Sequence, residues 1–117
     1  IKDEWGETFK VEAKIPVAGM AVVGDNIKNK YLIKRFNEEY QKSMIWYKNN
    51  PKEAGELAVK YIKMLDAKGV EDSIKYVKLD VVNAKNSQKD LEFFMNILKK
   101  NNPKSIGGKL PHDEFYY

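Results

Sequence analysis

The chain has 117 residues, of which 43% are hydrophobic and 32% are charged, and its net charge is +4. This length supports one domain, and the absence of cysteine excludes disulfides, thiolate zinc sites and cysteine nucleophiles. Arg35 is the only arginine, and the lysines alternate with acids along the chain. The positive charge therefore predicts a solvated, lysine-rich surface rather than a nucleic-acid interface.

The first 25 residues have the pattern of β-strands. Phe9, Val11 and Ala13 alternate with charged residues, as in a strand with one solvated face. Residues 19–23 form a continuous apolar run that ends at the turn signal Gly24-Asp25, which fits a strand buried on both faces. Because two strands make a poor sheet alone, we expect further strands from outside this chain.

Two long stretches then have helical periodicity. We expect one helix from Ile27 to Asn49 and a second that opens at Asn50-Pro51 and closes at Lys68-Gly69. Trp46 is expected to be a packing residue of the first helix. The apolar faces expected to be buried are Leu32, Ile33, Phe36, Tyr40, Ser43, Met44 and Tyr47 in the first, and Ala54, Leu57, Ala58, Tyr61, Ile62 and Leu65 in the second.

The remaining elements are shorter. A short helix is expected over residues 71–77, and a further helix that starts at Ser87 and is ended by Asn101-Asn102-Pro103. Its expected buried face consists of Leu91, Phe94, Met95 and Leu98.

Few residues could carry out chemistry. His112 is the only histidine, and a single imidazole without cysteine cannot form a zinc site without carboxylates. Asp113 and Glu114 lie beside it, but adjacency in sequence does not make a catalytic dyad, and a structural role is favoured. Gly107-Gly108-Lys109 lacks the spacing of a phosphate loop and predicts a turn. We expect no catalytic residue, metal or cofactor, and no enzyme activity.

Five stretches follow one another in a characteristic order: AGMAVVGD, YQKSMIWYKNNPKEAGELAVKYI, VEDSIKYVKLDVV, SQKDLEFFMNILKK and IGGKLPHDEFYY. In this order they resemble the C-terminal part of substrate-binding proteins from ABC importers of the nitrate, sulfonate and taurine type. The resemblance extends from about Lys14 to Tyr117, and the junction Asn50-Pro51-x-Glu53-Ala54 and the tail are its most specific parts. The chain departs from the family at His112, where an acid is expected, and at Asn29-Lys30, where the family has Asn-Pro.

This resemblance implies an α/β fold of the type II periplasmic-binding-protein class. The chain would be a fragment with two or three strands followed by three to four helices, which fits its beginning at Ile1 rather than Met. Residues 1–25 would form inter-lobe strands, 26–104 the helical part and 105–117 a C-terminal clasp. Its unpaired sheet edge predicts homodimerisation of the isolated fragment.

The function implied by the resemblance is capture of a small anionic or heterocyclic ligand between two lobes, and its delivery to an ABC permease in the membrane. The location would be extracytoplasmic, in a periplasm or lipid-anchored at the cell surface. The candidate ligand-binding residues, nearest the lobe crossings, are Glu4, Trp5, Pro16, Gly19 and Met20. For Trp5, capping of a core edge is the alternative to covering a ligand.

Two other functions stay open at this point. The first is a free-standing helical interaction module. The second is an enzyme like the thiamine-pyrimidine synthases, which share the implied fold but require a reactive histidine that His112, placed in the tail, does not supply.

Overall fold

A computed structural model describes residues 1–117 and contains helices joined by non-regular segments. The α-helices are α1 (Lys2–Phe9), α2 (Lys30–Asn49), α3 (Pro51–Tyr61), α4 (Ala67–Tyr76) and α5 (Gln88–Asn101). Short 3₁₀ segments lie at Gly24–Lys28, Pro103–Ile106 and Asp113–Phe115. The chain divides into two compact units: a terminal unit, Ile1–Ala21 with Val82–Tyr117, and a central unit, Val22–Val81.

The predicted α/β fold is wrong, because the chain forms no strand. Phe9, expected in the first strand, is the last residue of α1, and Lys10 ends that helix in the left-handed conformation with φ 53°. The apolar run at residues 19–23 is non-regular, since no second strand lies beside it to accept its backbone hydrogen bonds. The sheet edge predicted to mediate homodimerisation is therefore absent as well.

An aromatic cluster joins α1 to α5 in the terminal unit. Trp5 and Phe9 lie one turn apart on α1, with ring centroids 4.6 Å apart. Trp5 also lies 5.7 Å from the ring of Phe94. Phe9 meets Phe93 edge to face at 5.9 Å. Tilted and edge-to-face contacts at these distances are favourable. The contact of Trp5 with Phe9 on a helix therefore outweighs the strand-like alternation of apolar and charged residues that begins at Phe9.

The C-terminal tail turns at two glycines and packs on the start of α5. Gly107 and Gly108 have φ of 69° and 83°, which other residues rarely adopt, and they form the predicted turn. Tyr116 is buried, with 4% of its surface exposed. The Gln88 amide nitrogen donates to Asp113 Oδ1 at 2.9 Å, and this hydrogen bond ties the tail to α5.

The ends of α2 are formed by two asparagines. Asn29 Oδ1 accepts from the Leu32 N–H at 3.0 Å and caps the start of the helix. Asn50 Nδ2 donates to the Trp46 carbonyl at 2.8 Å. The Asn50 side chain makes no hydrogen bond to the N–H groups of α3 and satisfies the end of α2 instead. Pro51 opens α3, as predicted.

The second predicted helix is interrupted between residues 61 and 67. The Asp66 carboxylate accepts from the Gly69 N–H at 2.7 Å, so Asp66 caps the start of a new helix, α4. Gly69 was predicted to end a helix, but it lies in the first turn of α4. Gly55 of α3 and the Ala67 backbone come into close contact at this corner.

The core is thin in both units. In the central unit the buried residues are Ile33, Ala54 and Gly55. In the terminal unit the buried residue is Tyr116. No side chain has less than 2% of its surface exposed. Most of the apolar residues predicted to face a core are half-buried or exposed, which leaves them available for contacts outside the chain.

Candidate interaction surface

Helix α2 has an apolar arc too wide for its own unit to cover. Ile33 is buried, with 7% of its surface exposed, and Met44 and Tyr47 on the same side are half-buried. Leu32, next to this side, is 46% exposed. Because a helix in a small unit buries only one face, the remainder of the arc lies in solvent.

The exposed part of the arc is a continuous row, here called the α2 stripe, formed by Leu32, Phe36 and Tyr40. These positions are four residues apart and therefore lie one above another on the helix. Phe36 is 51% exposed and Tyr40 is 37% exposed. Their rings are stacked with centroids 6.0 Å apart and an interplanar angle of 18°. The prediction that these three side chains are buried is wrong, because each of them is 37–51% exposed.

One edge of the α2 stripe carries two opposite charges. Arg35 and Glu39 are four residues apart and lie on the side of the stripe away from Ile33. Glu39 Oε1 accepts from Lys42 Nζ at 2.8 Å, and this hydrogen bond lowers the pKa of the Glu39 carboxyl. Arg35 forms no salt bridge, and its guanidinium makes one long hydrogen bond, to Tyr31 Oη at 3.5 Å.

The exposed area of the chain is large for its mass. The 13.6 kDa chain has an accessible surface of 9852 Å². Two separate compact units of half this mass would together expose about 7,900 Å². The excess of about 2,000 Å² is more than twice the roughly 800 Å² that one partner buries in a standard protein–protein interface.

Two of the predicted ligand-binding residues lie in α1. Glu4 is exposed, and its carboxylate lies 3.4 Å from the terminal amine of Ile1. Trp5 is half-buried, and its ring contacts are all with phenylalanines of the terminal unit. This placement corresponds to the packing alternative considered for Trp5.

The other three predicted residues lie in the non-regular segment after α1. Pro16 is half-buried, and Met20 is 57% exposed. Nothing lies within 4 Å of where a Cβ on Gly19 would be, so this glycine borders open space. No hydrogen bond, salt bridge or ring contact joins these three residues to Glu4 or Trp5, and their role in ligand binding stays a prediction.

The only histidine borders a shallow depression on the tail. The depression has a volume of about 560 Å³ and is lined by Pro111, His112, Asp113 and Glu114. Asp113 is already engaged by Gln88 at 2.9 Å. No group of three or more His, Cys, Asp or Glu side chains is placed to hold a metal ion.

The strongest cluster of charges lies on α4. Lys68 and Lys75 each lie within 3.3 Å of both Glu71 and Asp72. Hydrogen bonds from Lys75 and Lys68 lower the pKa of Glu71, and the same two lysines, Lys68 first, lower the pKa of Asp72. These pairs are one turn apart on a solvated face, so the cluster stabilises the helix and presents no site for a ligand.

Comparison with protein-family models, curated proteins and solved structures found no match to this chain. No helix is both long enough and apolar enough to span a membrane.

A signal for the α2 stripe was present in the sequence. The apolar positions of this helix cover both the Ile33 side and the Leu32 side, which is a wider arc than one packing contact uses. A row of large apolar residues bordered by Arg35 and Glu39 is typical of a helix that meets a second surface.

Proposed function

We propose that this chain is a helical interaction module that binds another protein surface through the α2 stripe. One observation carries the proposal: Leu32, Phe36 and Tyr40 form a continuous apolar row that stays 37–51% exposed in a chain with a thin core. Scattered exposed apolar residues are normal on protein surfaces, but a contiguous row on one helix marks an interaction site. Aromatic residues are also enriched at the centres of such interfaces.

The charges near the stripe support this function. The opposite charges of Arg35 and Glu39, both on one edge of the stripe, can orient a partner, while the apolar row beside them provides the apolar contact. No group of three or more metal-binding side chains lies at the stripe. The stripe therefore has the composition of an interface core with a polar rim.

The experiment is titration of the purified chain with anilinonaphthalene sulfonate (ANS), whose fluorescence increases on apolar surfaces, over a dilution series. We expect ANS fluorescence to increase when the monomeric chain is added, because Leu32, Phe36 and Tyr40 are then uncovered. Phe36→Ser should lower the signal without loss of helix in circular dichroism. The matched control is Ile45→Ser, since Ile45 is 61% exposed but lies off the stripe. A monomer that shows no Phe36-dependent ANS signal would refute the proposal.

A second candidate is the solute-binding component of an ABC importer, which the tail and the Asn50-Pro51 junction suggest by resemblance. One observation favours it: Val17, Met20 and Val23 are 57–78% exposed in the run that precedes Gly24, as expected for a segment covered by further chain. In this proposal the protein is extracytoplasmic and passes its ligand to a permease in the membrane. The residues beside the ligand are Glu4, Trp5, Pro16, Gly19 and Met20.

The test of this second candidate is the length of the encoded gene product, followed by calorimetric titration of that product with taurine, nitrate and a pyrimidine. Glu4→Gln is the informative variant, because Glu4 is exposed and its replacement leaves the aromatic cluster intact. Binding that Glu4→Gln weakens would support the candidate. A gene product no longer than this chain would exclude it.

A further inference from the structure

We propose that the partner of the α2 stripe is a second copy of this chain. Two α2 helices would pack antiparallel about a twofold axis beside Phe36. The inference rests on the proposed function, because it names the occupant of the same surface. Three features of α2 carry it: the exposed area, the spacing of the apolar row and the placement of the edge charges.

The exposed area is sufficient for a stable homodimer. The excess of about 2,000 Å² is summed over both units of the chain, and a contact centred on the α2 stripe requires less than half of it, since one partner buries roughly 800 Å² in a standard interface. A twofold dimer uses the same patch on both copies. One exposed row on each chain is then enough to cover both rows.

The spacing of the row is self-complementary. Leu32 lies one turn before Phe36 and Tyr40 lies one turn after it. When two such helices run antiparallel with the axis at Phe36, the two Phe36 rings meet at the centre. Leu32 of each copy then meets Tyr40 of the other. A large ring thus faces a smaller aliphatic side chain at both ends, and no gap opens along the row.

The edge charges select the antiparallel arrangement. In an antiparallel helix pair, each edge of one helix faces the same edge of its partner. Arg35 and Glu39 share an edge and are centred on position 37, one residue from the axis at Phe36. Arg35 of each copy therefore lies about 3 Å along the helix axis from Glu39 of the other. These long side chains can span that offset, and two identical ion pairs form. Glu39 uses Oε1 for Lys42, which leaves Oε2 to accept from the arginine of the second copy.

The test is a charge-reversal cycle measured by sedimentation equilibrium over a wide concentration range. The unmodified chain should be a dimer. Arg35→Glu and Glu39→Arg should each raise the dimer dissociation constant about tenfold or more, since each creates two like-charge contacts. The double variant Arg35→Glu/Glu39→Arg should recover most of the affinity, because it restores both pairs with exchanged signs.

An equimolar mixture of the two single variants provides the sharpest readout. In the mixed dimer every contact joins opposite charges, so the mixture should form heterodimers more tightly than either variant dimerises alone. Lys30→Glu is the matched control, because it makes the same charge change on α2 away from the stripe edge. It should change the dissociation constant less than about twofold. Circular dichroism establishes that each variant remains helical.

The outcomes separate this inference from the proposed function. A chain that stays monomeric at every concentration, yet binds ANS in a Phe36-dependent manner, overturns the homodimer and leaves the interaction module standing. A monomer without that ANS signal overturns both. A dimer that the charge reversals do not weaken, or whose two single variants do not pair with each other, overturns the antiparallel α2 contact.

Discussion

Gly55 is the position at which a single methyl group should do the most damage to the central unit. A Cβ at this position would overlap the carbonyl oxygen of Ala67 and would lie 3.1 Å from its carbonyl carbon. Both atoms belong to the backbone at the start of α4. They can move aside only if α4 shifts away from α3, and this shift would disturb the buried side chain of Ala54.

Two opposing effects set the size of the change in Gly55→Ala. Alanine is favoured over glycine inside a helix by about 1 kcal/mol. Overpacking a closely packed site costs typically 1–3 kcal/mol, and the upper part of that range applies here because the obstructing atoms are backbone. We therefore expect the free energy of unfolding to fall by about 1–2 kcal/mol, with a loss in Tm of roughly 4–8 °C per kcal/mol.

Urea denaturation followed by far-UV circular dichroism measures this change, and Gly69→Ala is the matched control. Gly69 also lies in a helix, but there the nearest atom to an added Cβ is Asp66 Oδ2 at 3.4 Å, an ordinary contact. Helix propensity then acts alone, and Gly69→Ala should raise stability by up to about 1 kcal/mol. If Gly55→Ala is as stable as the unmodified chain, the close approach of α3 to α4 is wrong.

Three further predictions concern caps and titratable groups. Asp66→Ala should lower the free energy of unfolding by about 1 kcal/mol through loss of the α4 cap, while Asp66→Asn should keep most of it in the same urea assay; equal losses would contradict the capping role. The pKa values of Glu71 and Asp72 are lowered from 4.5 and 3.8, so their stabilisation is complete above about pH 4.5 and lost as the pH falls through the lowered values. In the variant Glu71→Gln/Asp72→Asn, the urea midpoint should therefore fall less as the pH is lowered. An acid decline as large as that of the unmodified chain would contradict the stabilising role of the α4 charge cluster. Burial, and secondarily nearby carboxylates, raise the pKa of Tyr116 above 10.0, so stability should decline as the pH rises beyond 10, and Tyr116→Phe should reduce that decline. A Phe variant with the same alkaline decline would show that Tyr116 is not the group responsible.

The helices whose ends carry a local signal could be predicted from the sequence. Asn50-Pro51 ends α2 and opens α3, and Asn102-Pro103 follows the end of α5 at Asn101, as expected. These signals act within a few residues, because proline lacks an N–H and constrains the residue before it. Asp66 was missed as a cap, although a side chain of this type before a helical stretch is a recognised start signal.

The strands and the buried faces could not be predicted, because both depend on what lies beside a segment. The alternating apolar and charged residues from Phe9 onward can form a strand only beside a second strand. Without that second strand, the contact between Trp5 and Phe9, four residues apart on a helix, decides the local structure. Similarly, the apolar character of Leu32 and Phe36 was evident, but their burial depends on a covering element that this chain does not provide. The apolar residues of the candidate surface could therefore be recognised in the sequence, but the prediction that they are buried in a core was wrong.

The single residue between α2 and α3 has a consequence for how copies of this chain can associate. Asn50 has φ −130° and ψ 62°, outside the helical region, as expected for a residue followed by proline. If Pro51 were replaced by a good helix former, Lys30–Tyr61 could straighten into one continuous rod. The corner at Asn50 would then be lost, and α3 would extend α2 instead of starting as a new helix. Pro51 therefore keeps α2 and α3 separate, so the straight helix that a second copy can meet is limited to Lys30–Asn49.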